Sequence, residues 1–326
     1  MRDLALEGLR GARDWPRLRR QISERILRIL GPFPRSGVHL EPTVLARRHG
    51  RHYTRSKVSY QVQGGERVSA WLLIPDPEPE RAPAILCPHQ TVRQGKDEPA
   101  GISGKRSLAF AVHYARLGYV TLAPDSITAG ERVYPGWDPY ETEPFYRAHP
   151  KWSAMGKMAW DHMRALDYLC TLGCVDPRRL GCIGNSLGGY NAFFLAAFDE
   201  RVKACVASCS FTPFRADENP MRWARTSWFC HFPALRPYIE KGRYPFDFEH
   251  VFALIAPRAL LLITGLNDPI FPQAWACDES VRIAAHVWDI LGARAGIRHL
   301  VHSRGHRITR AGQEAADLCF RRRLGQ

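Results

Sequence analysis

The spacing of apolar and polar positions changes twice along this 326-residue chain, and each change marks a different kind of structure. From Trp15 to Leu30 the apolar residues Leu18, Ile22, Ile26, Leu27, Ile29 and Leu30 recur at helical spacing, with arginines on much of the opposite face. That pattern predicts an amphipathic helix lying against the main body. A Pro/Gly-rich connector, 31–37, follows. Two alternating stretches, Lys57 to Gln63 and Arg67 to Ile74, then meet at Gly64-Gly65. Period-two alternation across a Gly-Gly turn predicts a hairpin at the antiparallel edge of a sheet.

Beyond the Pro-rich stop at 75–79 the pattern becomes strand–helix alternation. Buried strands are expected at 82–88, 119–123, 180–183, 202–208, 258–264 and, more weakly, 298–302. Helices are expected at 107–117, 158–172, 187–198 and 309–320. Apolar strands alternating with helices predict a mostly parallel sheet covered on both faces. In such sheets ligand sites lie beyond the carboxyl ends of the strands. The chain shows no internal repeat and no low-complexity segment.

Composition narrows the picture further. A hydrophobic content of 45% suits one large α/β domain with a sizeable core. No apolar run is long enough to span a bilayer, and the opening residues lack the apolar segment of a signal peptide. A cytoplasmic protein with no membrane partner is expected. The nine cysteines are odd in number, and Cys87, Cys182 and Cys205 sit inside apolar runs, which reads as buried reduced thiols. Cys170/Cys174 and Cys205/Cys209 have no second pair at ligand spacing, so neither a metal nor a cofactor is expected. The net charge of +14 is carried mostly by arginines scattered along the chain, without interleaved aromatics. It reads as a solvated surface and not as a nucleic-acid footprint, while an attraction for acidic substrates stays open.

The most specific chemical signal is Gly184-Asn185-Ser186-Leu187-Gly188, placed directly after an apolar strand and before an apolar helix. G-x-S-x-G in that context is a nucleophile elbow, with Ser186 held above the sheet on a tight turn. A serine hydroxyl needs a positioned base, and the base needs an orienting acid. Asp268 follows the fully apolar strand that ends near Thr264, whereas Asp247 and Asp278 do not directly follow a buried strand. His306 lies in the loop between the last strand and the last helix; His299 and His302 are rivals within or at the end of that strand. Ser186, Asp268 and His306 are therefore the expected triad. The oxyanion donors are expected to be the amide of Leu187 and that of Gln90 or Thr91, in the loop Pro88-His89-Gln90-Thr91. His89 reads as a structural hydrogen-bonder in that loop.

These pieces together resemble the α/β-hydrolase superfamily, and within it the dienelactone hydrolase/acetyl xylan esterase-like branch. The resemblance rests on 88–91 with Gly95-Lys96, on 118–125, on Gly130-Glu131-Arg132, and on Trp160-Asp161 with 164–168. It continues through 175–177, the elbow, 256–258 and Gly305-His306. It covers about residue 56 to the end and implies the same triad. Two positions depart from the branch: Asn185 stands where His is common, and the oxyanion loop reads His-Gln where His-Gly is common. Residues 1–50 then form an N-terminal helical extension and 51–326 the α/β-hydrolase domain.

Insertions at about 126–155 and 211–249 are lid-like and rich in aromatic residues. His89, Asn185, Trp137 and Trp228 are candidate substrate contacts, and Arg215, Arg222 and Arg225 candidates for an acidic substrate. Glu131-Arg132 is expected to hold the first insertion as an ion pair. The expected activity is hydrolysis of a small carboxylic ester through an acyl-enzyme, as in deacetylation. The same triad would serve an amidase, peptidase, thioesterase or acyltransferase. An inactive hydrolase acting as a binding module is the non-enzyme alternative, which an intact triad argues against. The N-terminal helix is expected to pack either on its own body or on a second copy in a homodimer.

Overall fold

A computed structural model of the chain describes residues 4–34 and 37–325. In chain order its elements are helix α1 (Trp15–Leu30), strands β1 (Thr43–His49), β2 (Tyr53–Gln63), β3 (Glu66–Pro75) and β4 (Ala82–Leu86), helix α2 (Phe110–Arg116) and strand β5 (Val120–Pro124). Helices α3 (Glu143–Ala148) and α4 (Ala154–Cys170) precede strand β6 (Val175–Asn185), helix α5 (Leu187–Phe198) and strand β7 (Val202–Ser208). The remainder is α6 (Arg236–Glu240), α7 (Phe248–Ala253), β8 (Ala259–Gly265), α8 (Ala274–Ile290), β9 (Ile297–His302) and α9 (Arg310–Phe320).

The strands form one nine-stranded sheet in the order β1-β2-β3-β5-β4-β6-β7-β8-β9. The first four in that order pair antiparallel, and from β5 onward every pairing is parallel. The hairpin forms where expected, with Gly64 and Gly65 both at positive φ (51° and 85°), the geometry a two-residue turn needs to follow the strand twist. Strands β4, β5 and β8 are buried along their whole length, which is why they read as unbroken apolar runs.

Five elements go beyond the sequence reading: strand β1, helix α8, and the short helices α3, α6 and α7 in and beside the insertions. Strand β1 extends the sheet to residue 43, so the antiparallel edge begins inside the segment read as a helical extension. All seven of its residues are exposed, and an exposed edge strand carries no alternating apolar signal. Helix α8 was not anticipated at all. Its N-cap, Gln273, is in a left-handed conformation and makes no side-chain cap, so its beginning carries no start signal.

The N-terminal helix packs on its own body. Trp15, Leu18, Ile22, Ile26, Ile29 and Leu30 enter the main core, and the Leu30 carbonyl accepts from the Ser153 amide (2.8 Å) and hydroxyl (2.9 Å) at the start of α4. The apolar face of α1 is thus covered within the chain.

The topology places the site. From β4 the chain crosses to β5 on one side, then returns to β6 on the other side of β4. The loops leaving β4 and β6 therefore diverge at a switch point, where a crevice opens.

A buried ion cluster fixes the first insertion beside this crevice. Lys96 Nζ donates to Asp125 Oδ2 (2.6 Å) and Glu131 Oε1 (2.8 Å), and Lys57 also reaches Glu131 (2.7 Å). Burial alone would lower the pKa of Lys96, but Asp125 and Glu131 outweigh it and raise the value. Glu131 and Arg132 do not pair with each other as expected. Arg132 turns instead to Asp161 (2.7 Å), because Lys96 and Lys57 already occupy Glu131. Replacing Lys96 by Met leaves the Asp125 carboxylate buried without its ammonium. A loss of about 3–5 kcal/mol in unfolding free energy is expected by urea denaturation; a loss below about 1 kcal/mol would mean that the cluster relaxes without cost.

Candidate active site

Ser186 stands at the end of β6 with φ 55° and ψ −123°, a strained conformation for a non-glycine residue. Its amide donates to the Ser208 carbonyl (2.8 Å), and its carbonyl accepts from Gly189 (2.9 Å) and Tyr190 (3.1 Å) at the start of α5. The turn closes only because its neighbours lack side chains. A Cβ on Gly184 would lie 2.1 Å from the Gly188 carbonyl carbon, and one on Gly188 would lie 2.2 Å from the Pro88 carbonyl oxygen. The elbow is therefore pressed against the loop that follows β4.

Asp268 sits past the end of β8 and is almost fully buried. Its Oδ1 accepts from the amides of Ile270 (2.8 Å) and Phe271 (3.0 Å), and its Oδ2 pairs with His306 Nδ1 at 2.8 Å. Burial pushes its pKa up, but the His306 hydrogen bond and charge, helped by the two amides, hold it below the ordinary value. With Nδ1 committed to Asp268, the other nitrogen of His306 is free for chemistry. Ser186 and His306 line the same cavity, of about 520 Å³. The rival residues do not line this cavity. His299 bridges Asp278 (3.0 Å) and Thr264 (2.9 Å), and Asp247 caps α7. His302 Nδ1 accepts from the Arg304 amide (3.2 Å).

Gln90 and Thr91 line the cavity, and Leu187 opens α5, where an amide has no acceptor within its own helix. Tyr140 of the first insertion clamps the oxyanion loop. Its hydroxyl accepts from the Val92 amide (2.8 Å) and lies against the Val92 (2.8 Å) and Gln90 (3.3 Å) carbonyls. The two departures from the family pattern turn out to be one feature. Asn185 Nδ2 donates to Gln90 Oε1 (3.2 Å), and Gln90 Nε2 donates onward to Glu98 Oε1 (3.2 Å).

Three of the four candidate substrate contacts are corrected. His89 is buried, accepting from the Ser126 amide at Nε2 (3.0 Å) and facing the Gln90 carbonyl from Nδ1 (2.7 Å), so neither nitrogen is available to a ligand. Burial lowers its pKa and keeps it neutral, as suits the structural role read for it. Asn185 is buried behind the oxyanion loop and supports Gln90. Trp137 lies outside the cavity, under the guanidinium of Arg147 (5.9 Å). Trp228 does line the cavity, with Arg225 stacked over it at 5.0 Å.

The cavity wall also carries residues that were not singled out for the site: Tyr190, Trp223, Phe229, His231 and Phe271. Tyr190 belongs to α5, Phe271 to the loop after β8 and the other three to the second insertion, and which of their faces meets the cavity is set by packing. The two insertions are stitched together as a fixed wall: Thr142 Oγ1 donates to the Trp228 carbonyl (2.8 Å), and the Tyr146 hydroxyl to that of Cys230 (2.9 Å).

Cys209, Asp268 and His306 offer donor atoms within 4.8 Å of one another, the spacing of a metal site. Their chemistry fits a metal poorly. Asp268 and His306 already bind each other, and burial with the nearby Asp268 pushes the Cys209 thiol to about 12, keeping it protonated.

A serine on a strained strand–helix turn and a hydrogen-bonded Asp–His pair beyond the ends of β8 and β9 thus meet at one side of the sheet, with Ser186 and His306 on a shared cavity. The chain has the fold of the α/β-hydrolases. A family model described as "Glucuronyl esterase, fungi" matches residues 133–292. The chain is 27% identical over 294 residues to YtaP of Bacillus subtilis (strain 168), a hydrolase by name, covering 89% of this chain and 94% of that one. A glucuronoyl esterase from Solibacter usitatus superposes with a TM-score of 0.78 at 20% identity, over 98% of this chain and 97% of that one. A Bacteroides fragilis protein described as an acetyl xylan esterase gives 0.68 at 19% identity, over 90% and 76%. The similarity thus includes the acetyl xylan esterase side of the expected branch.

Proposed function

We propose that the hydrolase cleaves a small carboxylic ester through a covalent acyl-enzyme. Ser186 attacks the acyl carbon while His306 takes its proton and then passes it to the leaving alcohol. Asp268 fixes the imidazole tautomer and balances its charge. The amides of Leu187 and of Gln90 or Thr91 receive the oxyanion. Water activated by His306 then releases the acid.

The observation that carries this reading is that Ser186 and His306, distant in the chain, line one cavity, with Ser186 on a strained turn and His306 locked to the buried Asp268. A carbohydrate ester is the favoured substrate class. The similar solved structures are described as a glucuronoyl esterase and an acetyl xylan esterase, and Trp228, 40% exposed on the cavity wall, offers a flat face to a sugar ring. The nine cysteines are all free thiols, which fits a reducing, cytoplasmic setting.

The test is labelling with a fluorophosphonate, followed by the rates on p-nitrophenyl acetate, butyrate and octanoate. One adduct per chain, on the peptide holding Ser186, is expected. The rates should fall toward octanoate, because the stitched aromatic wall does not yield to a long chain. Labelling elsewhere, or none, would overturn the assignment.

A further inference from the structure

The second insertion offers three arginines near the cavity, and the structure sorts them. Arg215 is consumed by Glu249 (2.9 Å), Asp247 (3.3 Å) and Glu279 (3.3 Å). Arg222 lines the cavity, but its guanidinium is held by Asp217 (2.6 Å) and by backbone carbonyls of Asn219 and Ile270. Arg225 is different. It lines the cavity, stacks on Trp228, and has no carboxylate partner among the described residues.

Two further donors on the same wall lack a well-formed hydrogen bond. The indole Nε1–H of Trp223 is buried and makes no hydrogen bond, and Nδ1 of His231 is buried with no hydrogen bond of normal geometry, the Arg222 carbonyl being the acceptor near it. Their rings touch, with centroids 5.1 Å apart. The Tyr190 hydroxyl meets His231 Nε2 at 2.6 Å. When the phenol donates there, the proton of the neutral imidazole resides on Nδ1. Burial and the nearby Arg225 charge lower the His231 pKa to about 3, so the ring itself carries no charge.

A buried donor without a partner costs free energy that a bound acceptor would recover. Trp Nε1–H and a guanidinium can only donate. The only carboxylate among the cavity-lining residues is Glu98, turned toward the Gln90 amide group and the Lys105 amide, with burial raising its pKa. Lys105 adds a second cation to the rim. The wall facing Ser186 is therefore rich in donors, positive, and short of acceptors.

We propose that the natural ester carries a carboxylate beside its scissile bond, anchored by Arg225 and received by the N–H groups of Trp223 and His231. This rests on the ester-hydrolase reading for the reacting end and deepens it by naming the substrate as an acidic ester. Stacking on Trp228 holds the guanidinium plane still, which favours a two-point contact with a carboxylate.

The test pairs esters that differ only in charge. Mono-p-nitrophenyl glutarate is compared with its methyl ester to probe an anion on the acyl side. 4-Acetoxybenzoate is compared with its methyl ester to probe the alcohol side. The wild type should favour the charged member of at least one pair by about 10- to 100-fold in kcat/KM, and Arg225→Gln should bring that ratio close to one. Damage to the insertion alone would lower both members and leave the ratio unchanged, which would overturn the proposal, as would a wild-type ratio near one in both pairs.

Binding is measured separately, by calorimetric titration of glutarate into wild type, Ser186→Ala and Arg225→Gln. Saturable binding in the first two, weakened about tenfold or more in the third, supports the anion site whether or not any ester turns over. Equal affinity in all three, or no binding to wild type, would sink it. Absence of ester turnover together with Arg225-dependent glutarate binding would instead refute the hydrolase reading alone.

Discussion

Ser186→Ala is expected to reduce turnover of p-nitrophenyl acetate by about 10⁴- to 10⁶-fold and to abolish the pre-steady-state burst. The loss is large because the acyl-enzyme path disappears altogether. What remains is the help that the oxyanion amides and the cavity give to direct attack by water. Stability should hardly change. Ser186 makes no side-chain cap to α5, and alanine keeps the same Cβ in the same strained backbone at φ 55°. A thermal melt within about 2 °C of wild type would show that the loss is chemical and not structural. If Ser186→Ala keeps more than about a hundredth of the activity, Ser186 is not the nucleophile.

Asp268→Asn should cost about 10³- to 10⁴-fold in kcat with KM little altered. The argument lies in the hydrogen bonds that Asp268 accepts. Two backbone amides, from Ile270 and Phe271, point at Oδ1 and fix that end of the side chain as an acceptor. In the asparagine the carbonyl oxygen must stay on that side, so the NH₂ group takes the place of Oδ2 and faces His306 Nδ1. A donor facing Nδ1 forces the imidazole proton onto Nε2, the nitrogen that should accept from Ser186. The base is then present in the wrong tautomer. The same substitution also removes stability linked to the lowered carboxyl pKa. That contribution is full above the ordinary carboxylate pKa and fades as pH falls through the depressed value. Denaturation near pH 7 should therefore show a deficit for Asp268→Asn that shrinks in acid. Normal kcat in Asp268→Asn, or a loss confined to KM, would remove Asp268 from the proton path.

The parts of this site that sequence revealed are those whose chemistry constrains a short stretch of chain. The elbow needs glycine at 184 and 188 because a Cβ there would strike backbone, so its spacing is a local necessity. Asp268 and His306 were found because each follows a recognisable strand. Trp137 and Asn185 were misjudged for the opposite reason. Whether an aromatic in an insertion faces the cavity or a neighbouring arginine depends on how the insertion folds back, and nothing local fixes that. Among Arg215, Arg222 and Arg225, sequence gave equal standing to all three. Only the packed structure shows that Glu249, Asp247 and Asp217 neutralise the first two.

By itself, the order of apolar runs and glycines determined the parallel sheet, the tight turn at Ser186 and the carboxyl-end position of Asp268 and His306. These are set by hydrogen-bonding periodicity and by steric exclusion within a few residues. The tertiary structure alone decided the exposed edge strand β1, the link from Asn185 through Gln90 to Glu98, the seal between the two insertions and the single uncompensated arginine on the cavity wall. The Asn185–Gln90 contact and the seal between the insertions join groups 95 and 86 residues apart, and the others depend on which surface is left uncovered; those outcomes follow from packing the whole chain at once.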